Sequence, residues 1–286
     1  MLAAERERAI TATTALTSEL GLVVAEARIV SNSNKLGLRL LPCDVFARVA
    51  FSGQEAFQFE LEIARGLTEI GSPVASLDTR VEPRVYKRDG FAITVWRHYE
   101  QAGIDPSAAS YAKALEGLHS GLAQLDVVAP HFSDRVSEAE QLLRSHERTP
   151  RLEANDRELL LETLRSCSSG IYERSSREKL LHGEPHPGNV LSTAAGCLFI
   201  DFETCCRGPV EFDLAHVPEA VCDAYSGADP ELIDESRRLV LAMVAAWRWD
   251  IDDQFPSGAS AGRALLRALR AGPPWPTLDA VMNQNT

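Results

Sequence analysis

Hydrophobic and polar positions in the first third of the chain predict a small antiparallel sheet with two helices. Apolar spacing over 3–20 is that of a helix, which ends before Gly21. A second helix is predicted over 54–70, where apolar residues recur at helical spacing before the stop signal 71–73. Short apolar or alternating segments bounded by polar turns predict the strands: 27–30, 36–41, 44–51, 81–86 and 91–96.

Helical periodicity dominates after about residue 104, with one short β interlude. The tail after Ala271 is rich in proline and polar residues and is predicted to be irregular. We therefore expect an α+β fold with a β-rich N-lobe over 1–98 and a mostly helical C-lobe over 99–286. A cleft between two such lobes is a usual place for a ligand. The helices are predicted over 108–125, 137–146, 156–173 and 230–249, and the interlude strands over 189–192 and 197–201.

The formal net charge of −12 narrows the classes of partner. It argues against a general nucleic-acid binder, because neutralising phosphates needs a basic face. It fits a cationic substrate drawn to an acidic cleft, and it fits solubility alone equally well. No apolar run is long enough to cross a membrane, and residues 1–10 lack the apolar core of a signal peptide. We therefore expect a cytoplasmic protein with no membrane partner.

The six cysteines indicate structural thiols rather than a metal site. A cytosolic chain of this length needs no disulfide framework. Only Cys205 and Cys206 are close together, and adjacent cysteines lack the Cys-x-x-Cys spacing that suits zinc.

The segment 182–203 concentrates the polar chemistry of the chain. Asn189 directly precedes one strand of a predicted hairpin, and Asp201 ends the partner strand, so the two side chains are expected to converge. An amide oxygen and a carboxylate are ligands that Mg²⁺ accepts together with nucleotide phosphates. Glu184 lies five residues before Asn189 and can orient a hydroxyl nucleophile. These are the parts that phosphoryl transfer requires.

Over 182–215 the chain reads His-Gly-Glu-x-His-x-x-Asn, then Ile-Asp-Phe-Glu, then Gly-Pro-x-x-x-Asp-Leu-Ala. This pattern resembles the aminoglycoside phosphotransferase and choline kinase superfamily. The resemblance implies a protein-kinase-like two-lobe fold and Mg²⁺-dependent transfer of the γ-phosphate of ATP or GTP to a small-molecule hydroxyl. It also implies that Asn189 and Asp201 bind Mg²⁺, that His182 braces the catalytic loop, and that Asp213 anchors that loop.

Glu184 departs from the resembled pattern, which commonly has Asp at this position. Glutamate keeps the carboxylate but reaches one methylene further, and a displacement of about 1 Å can cost on the order of a hundredfold in rate. The alternative interpretation is a loop-capping acid with no catalytic role. His186 either lines the phosphate or acceptor side or bonds within its loop. Glu203 either supplements metal or acceptor binding or forms an ordinary salt bridge.

Arg48 and Glu60 are the predicted phosphate-steadying pair of the N-lobe. Strand alternation places Arg48 toward the cleft, where the resemblance implies a cation on the nucleotide phosphates. An arginine fork and permanent charge suit phosphate. Glu60, on the predicted helix, would hold Arg48 as the paired acid. The alternative is that Arg48 is a surface residue of an edge strand.

Three further residues are candidates for contacts with the nucleotide. The turn 31–37, with Ser33, occupies the place of a phosphate-covering loop, and an ordinary hairpin turn fits equally well. Val95 and Trp96 resemble the connector whose backbone binds the base, although Trp96 also suits the core. His119 is interpreted as a helix histidine with its hydrogen bonds satisfied.

The acceptor site is predicted only as a region of the C-lobe. Acids and aromatic residues together would suit an amino sugar or another cationic alcohol. The alternative is a solvated acidic face with the tryptophans in the core. The candidates are Glu219, Asp223, Trp247, Trp249, Asp250, Asp252 and Asp253.

Two kinds of function remain open from the sequence. The first is a small-molecule kinase whose acceptor is an aminoglycoside or other antibiotic, an amino alcohol, a sugar or a self-made natural product. The second is a nucleotide-binding pseudokinase with a regulatory role, suggested by Glu184, Arg48 and the glycine-poor turn. A protein kinase is disfavoured because the catalytic loop lacks the His-Arg-Asp pattern.

Overall fold

A computed structural model describes residues 1–32, 35–53, 56–175, 177–255 and 257–283, without the side chains of Ala56 and Asn283. The chain divides into two compact units. The first comprises Met1–Pro106 and Leu191–Glu203, and the second comprises Ser107–Val190 and Thr204–Thr286. The lobe boundary expected after residue 98 lies near Pro106. The segment Leu191–Glu203, expected in the C-lobe, groups with the first unit.

The first unit is built on a five-stranded antiparallel sheet with the strand order β1-β2-β3-β5-β4. Helix α1 spans Ala3–Glu19, and helix α2 spans Ala56–Ile70 between the third and fourth strands. The strands are β1 (Val24–Asn32), β2 (Leu36–Pro42), β3 (Val45–Phe51), β4 (Tyr86–Arg88) and β5 (Phe91–Arg97).

Alternating apolar side chains hold this sheet against α1. In β2 the buried residues are Leu36, Leu38 and Leu40, which join Ala9 and Leu16 of α1 in one core. A strand has a side-chain period of two, so one face of β2 is apolar throughout. The strand predicted over 81–86 is shorter than expected and begins only at Tyr86. Pro83 lies in the part of the predicted strand that is not formed, and proline has no N–H to donate to a neighbouring strand.

A short hairpin leads to Asp201. Strand β7 (Val190–Thr193) pairs with β8 (Gly196–Phe199). Phe199 is tied to the segment after α2, because its N–H donates to the Pro73 carbonyl at 2.9 Å and its carbonyl accepts from Ala75 N–H at 3.0 Å. Asp201 follows with a φ of 68°, in the left-handed region that non-glycine residues seldom adopt. The first unit therefore fixes the backbone on which Asp201 is carried.

The second unit is mostly helical. Its two-stranded sheet pairs β6 (Lys179–Leu181) with β9 (Cys206–Gly208). Leu160, Leu164 and Cys167 of α5 pack with the apolar face of α8 in its core. The helices are α3 (Ala108–Leu122), α4 (Phe132–Arg144), α5 (Ala154–Arg174), α6 (Val210–Leu214), α7 (Glu219–Ala224), α8 (Pro230–Arg248), α9 (Gly258–Ala271) and α10 (Leu278–Asn283).

Several details of this unit differ from the sequence prediction. Helix α4 begins at Phe132, earlier than predicted, because His131 caps it and shares a capping box with Asp134. The tail is not wholly irregular, since α10 lies within it. Val281 of α10 is buried in the core and holds this helix in place.

The remaining expectations concern cysteines and membranes. None of the six cysteines, all within the described residues, forms a disulfide. Among the described helices, none combines the length and apolar character needed to cross a bilayer.

Candidate active site

A charged cluster in the first unit brings Arg48, Glu60 and Asp201 together. We use "charged cluster" for these three residues with Lys35 and Glu203. Arg48 Nη1 is ion-paired with Glu60, and its Nη2 lies 2.9 Å from Asp201 Oδ2. One guanidinium therefore joins the α2 acid to the acid that follows β8.

The sheet explains why Arg48 takes this position. Strand β3 lies between β2 and β5, and Arg48 pairs with Gly37 on one side and Thr94 on the other. Arg48 is thus on an interior strand, which excludes the edge-strand interpretation. Glu60 is fully buried, on the apolar face of α2 beside Phe57 and Leu61. A buried charge requires a partner, and Arg48 supplies it.

Lys35 completes the cluster, and sequence reasoning missed it. Its side chain is only 9% exposed and is ion-paired with Glu203. Its Nζ lies 3.8 Å from Asp201 Oδ1, 3.9 Å from Glu60 Oε2 and 4.8 Å from the centre of the Phe57 ring. The one available signal was a lone lysine in the polar turn before β2.

Burial and opposing charges compete in this cluster. Burial raises the pKa of Glu60 to about 7, while Arg48 and Lys35 act in the opposite direction. Burial opposes the charge of Arg48, but Glu60 and Asp201 outweigh it and raise the pKa of the guanidinium. The two cations therefore offset only part of the effect of burial on Glu60, while the acids stabilise the charge of Arg48.

The oxygen donors of Asp201 and Asn189 are of the type that Mg²⁺ takes. The Asn189 amide nitrogen donates to the Glu184 carbonyl at 2.9 Å, which leaves the amide oxygen as the atom for a cation. Within the described ranges, no three His, Cys, Asp or Glu side chains are grouped as a metal cage. Magnesium needs few protein ligands, because it keeps waters and shares substrate phosphates.

Asp213 anchors the loop that carries His182 and Glu184 in the second unit. Its carboxylate is fully buried and accepts from the backbone N–H of His182 at 2.9 Å and of Gly183 at 2.8 Å. His119 Nε2 lies 2.9 Å from the same carboxylate, and its Nδ1 lies 2.8 Å from Tyr225 Oη. His119 therefore has both ring nitrogens satisfied.

These bonds also decide the charge of Asp213. Burial alone would raise its pKa, but the hydrogen bond and charge of His119 outweigh burial, and the pKa is lowered. Gly183 has a φ of 88°, and a Cβ there would collide with the carbonyl oxygen of Thr204. Glycine is therefore required at this point of the loop.

Glu184 is held by an arginine from another helix. Arg135 of α4 is ion-paired with the Glu184 carboxylate, and its guanidinium lies 5.0 Å from the centre of the Trp247 ring. Burial would raise the pKa of Glu184, but Arg135 and His216 outweigh it and lower that pKa. The carboxylate is thus ionised and fixed in direction.

Two other histidines complete this region. His186 Nδ1 accepts from Gly188 N–H at 3.1 Å, which is the bond within the loop that the plainer interpretation expected. His216 is buried, and its ring meets Phe212 edge-on at 5.4 Å. Burial is the main cause that lowers the pKa of His216 to about 4, so it is neutral at pH 7.

The acids considered for the acceptor site mostly have arginine partners of their own. Glu219 is ion-paired with Arg237 at 2.6 Å, and Asp250 with Arg148. Asp253 lies 3.1 Å from Arg248. Trp249 is buried in the core. These contacts account for the acids without a ligand.

The remaining nucleotide candidates are Ser33, Val95 and Trp96. Ser33 lies outside the described residues. Val95 and Trp96 lie inside β5, where Trp96 donates from Nε1 to Thr94 Oγ1 at 2.8 Å. The Val95 carbonyl accepts from Asp78 N–H, so part of this backbone already has a protein partner.

Three solved structures with the same architecture are distant from this chain in sequence. Amicoumacin kinase hAmiN, in complex with AMP-PNP, Ca²⁺ and Ami, has a TM-score of 0.71 at 11% identity, with all of both chains covered. A choline/ethanolamine kinase family protein from Mesorhizobium loti has a TM-score of 0.65 at 16% identity, covering 95% of this chain and 99% of its own. Aminoglycoside 2'-phosphotransferase-IIIa in its GDP complex has a TM-score of 0.64 at 16% identity, covering 91% and 97%.

These likenesses confirm the fold class, with its β-rich N-terminal region and helical C-terminal region. No curated protein sequence matches the chain. The model of the phosphotransferase enzyme family matches residues 39–250, which is more than half of the chain. The resemblance drawn from 182–215 is thereby confirmed, and the chain belongs to the phosphotransferase enzyme family.

Proposed function

We propose that this protein is a Mg²⁺-dependent kinase that transfers the γ-phosphate of ATP or GTP to a hydroxyl group of a small molecule. The observation that carries the proposal is the double pairing of Arg48 with Glu60 and Asp201. A cation held between a buried helix acid and a carboxylate of the metal-binding type is an arrangement that serves nucleotide phosphates.

In this proposal Asn189 and Asp201 are the residues that hold the metal. A Mg²⁺ ion held by these residues would supply neutralisation of the phosphate charge. Arg48, steadied by Glu60, contacts the phosphates. The turn with Ser33 and the segment at Val95 and Trp96 stay the proposed source of further nucleotide contacts, although the Val95 carbonyl already accepts from Asp78 N–H.

Glu184 is proposed to orient the acceptor hydroxyl. Its ion pair with Arg135 supports this role, since a lowered pKa keeps the carboxylate ionised and able to accept a hydrogen bond. The two backbone bonds of Asp213 hold the loop on which Glu184 sits, and His182 braces it. Preorganisation of this kind supplies much of the catalysis in phosphoryl transfer, where the protein chiefly positions reactants.

For the acceptor we propose a small alcohol that bears amino groups. The names of the similar structures support this class, since they include an aminoglycoside phosphotransferase and a choline/ethanolamine kinase family protein. The negative net charge supports a cationic partner as well.

The test is turnover with a panel of acceptors. The purified chain is incubated with MgATP or MgGTP and with aminoglycosides, amino alcohols or sugars, and nucleoside diphosphate release and product mass are measured. We expect one class to give a product heavier by one phosphoryl group. The proposal is overturned if no acceptor is phosphorylated and neither nucleotide binds.

A nucleotide-binding pseudokinase is the second candidate. The observation in its favour is that position 184 has Glu, one methylene longer than the Asp of the resembled pattern, and that its carboxylate is ion-paired with Arg135. Tight binding of Mg-nucleotide, with no phosphorylated product from any acceptor, would support this candidate over the kinase.

A further inference from the structure

Lys35 is a second buried cation beside Arg48, and the proposed function so far gives it no role. It directly precedes β2, and β2 pairs with β3 so that Gly37 lies opposite Arg48. The pairing of β2 with β3 therefore places Lys35 and Arg48 in the same charged cluster. A lysine seldom becomes buried without a specific partner, and this one reaches three acids.

The charges of the cluster indicate what Lys35 is for. Glu60, Asp201 and Glu203 neutralise Lys35 and Arg48 when no ligand is present. If Asp201 binds a metal, Lys35 and Arg48 each no longer pair with Asp201 but still pair with a second acid. Arg48 keeps Glu60, and Lys35 keeps Glu203. Each cation is then held in place with donor capacity for a further anion.

The chemistry of the two cations differs in a way that fits a shared anion. The two terminal nitrogens of the Arg48 guanidinium are paired with Glu60 and Asp201. Lys35 carries three rotatable donors on a flexible stem, so it can turn toward an oxygen without leaving the cluster. The Phe57 ring lies 4.8 Å from its ammonium and excludes water from one side, which strengthens its attraction for an anion.

We propose that Lys35 is a second phosphate-binding residue of this protein, which contacts the phosphates of the bound nucleotide beside Arg48. This inference rests on the proposed function. The ammonium already lies 3.8 Å from the carboxylate that would hold the metal. Phosphate oxygens gather at such a metal, so an amine beside Asp201 is suitably placed to contact them.

The test compares Lys35→Met with the matched control Lys87→Met. Lys87 is exposed on β4 of the same unit and has no part in the cluster. Binding of the wild-type chain and both variants to Mg-AMP-PNP or Mg-GMP-PNP, and to the bare nucleoside, is measured by calorimetry. We expect Lys35→Met to weaken nucleotide binding roughly 10- to 100-fold, the loss of a charge-assisted contact, with nucleoside binding unchanged.

A double-mutant cycle separates phosphate binding from mere neutralisation of Glu203. Lys35→Met is measured again in a Glu203→Gln background, where the acid that it pairs with has lost its charge. If Lys35 binds phosphate, its replacement still weakens nucleotide binding by the same factor. If the loss disappears in that background, Lys35 only balances Glu203 and the inference is wrong.

Chemical labelling gives a readout that does not depend on replacing the lysine. An acyl-phosphate derivative of ATP or GTP transfers its acyl group to an amine beside the phosphates, forming an amide as the nucleotide leaves. We expect acylation of Lys35, suppressed by excess nucleotide, and none of Lys87. Absence of Lys35 labelling in a chain that binds nucleotide contradicts the inference alone. Absence of nucleotide binding by the wild-type chain contradicts the proposed function.

Discussion

Arg135 shows at the level of single residues what the motif alone does not reveal. The motif contains Glu184, but its partner lies 49 positions earlier in the chain, on another helix. That partner decides the protonation of the carboxylate, because burial alone would raise its pKa. The longer acid and its arginine therefore work as a pair, with Arg135 as a positioning residue.

Replacing Arg135 is expected to shift the pH dependence of the reaction. In Arg135→Met, burial is no longer outweighed, so the pKa of Glu184 rises. The active form has an ionised Glu184, so the acid limb of the kcat profile moves to higher pH. The measurement is kcat against pH, with Arg144→Met, an exposed arginine on the same helix, as the control. An unshifted profile would show that Arg135 does not act through Glu184.

His216 is expected to make the protein less stable in mild acid. Its pKa falls from 6.5 to about 4 in the folded chain, chiefly through burial. Between about pH 6.5 and about pH 4, His216 is protonated in the unfolded chain but neutral in the folded chain. The free energy of unfolding therefore drops as pH falls, by about 1.4 kcal/mol per unit and about 3 kcal/mol in all.

Chemical denaturation at pH 7 and pH 4.5 measures this effect. His216→Leu removes the titrating ring and is expected to lose less stability than wild type between the two pH values. His146→Leu changes an exposed histidine and is expected to behave as wild type. Equal losses in all three proteins would mean that His216 takes up its proton in the folded state.

At the level of elements, periodicity predicted most of the first unit. The bounds of β2, β3 and β5 were predicted within a residue or two, because β2 and β3 alternate along their length and β5 is a short, mostly apolar run. Helix α10 was not predicted, since it is only six residues long and lies in proline-rich surroundings. Helix α9 lacks a side-chain cap at its N-terminus, and it was not predicted either.

The loop between β6 and β7 depends on one glycine. Gly183→Ala combines a left-handed φ of 88° with a collision against the Thr204 carbonyl. We expect a loss of about 1–3 kcal/mol in the free energy of unfolding and a larger relative loss in kcat, because His182 and Glu184 flank the strained peptide.

Gly227→Ala is the matched control for this loop. Gly227 also has a positive φ, of 77°, but nothing lies within 4 Å of an added Cβ. It should cost about 1 kcal/mol in stability and leave kcat unchanged. If the two variants lose the same activity and stability, the collision at residue 183 has no functional meaning.

For the whole molecule, the sequence predicted the family and the fold class but only part of the site. Local spacing reveals Glu184, Asn189, Asp201 and Asp213, since a linear motif holds them. The Lys35–Glu203 ion pair joins positions 168 residues apart and has no linear signature. Such long-range pairs depend on strand order and burial, which a single sequence leaves undetermined.

Asp201 and Glu184 are expected to differ in what they contribute, metal binding by the first and orientation of the acceptor hydroxyl by the second. Asp201 belongs to the first unit and Glu184 to the second. Asp201→Ala should abolish the extra stabilisation that Mg²⁺ adds to bound nucleotide, together with turnover. Glu184→Ala should lower kcat and keep that extra stabilisation. Mg-nucleotide at about 100 times its Kd stabilises the folded chain by about 2.7 kcal/mol in total.

Thermal unfolding with nucleotide, with and without Mg²⁺, distinguishes the two variants. Asp105→Ala, an exposed acid of the first unit, is the control and should match wild type in both measurements. Retained Mg²⁺-dependent stabilisation in Asp201→Ala would remove Asp201 from the metal site. Loss of it in Glu184→Ala would instead place Glu184 among the metal ligands, because an acid that only orients the hydroxyl makes no contact with Mg-nucleotide.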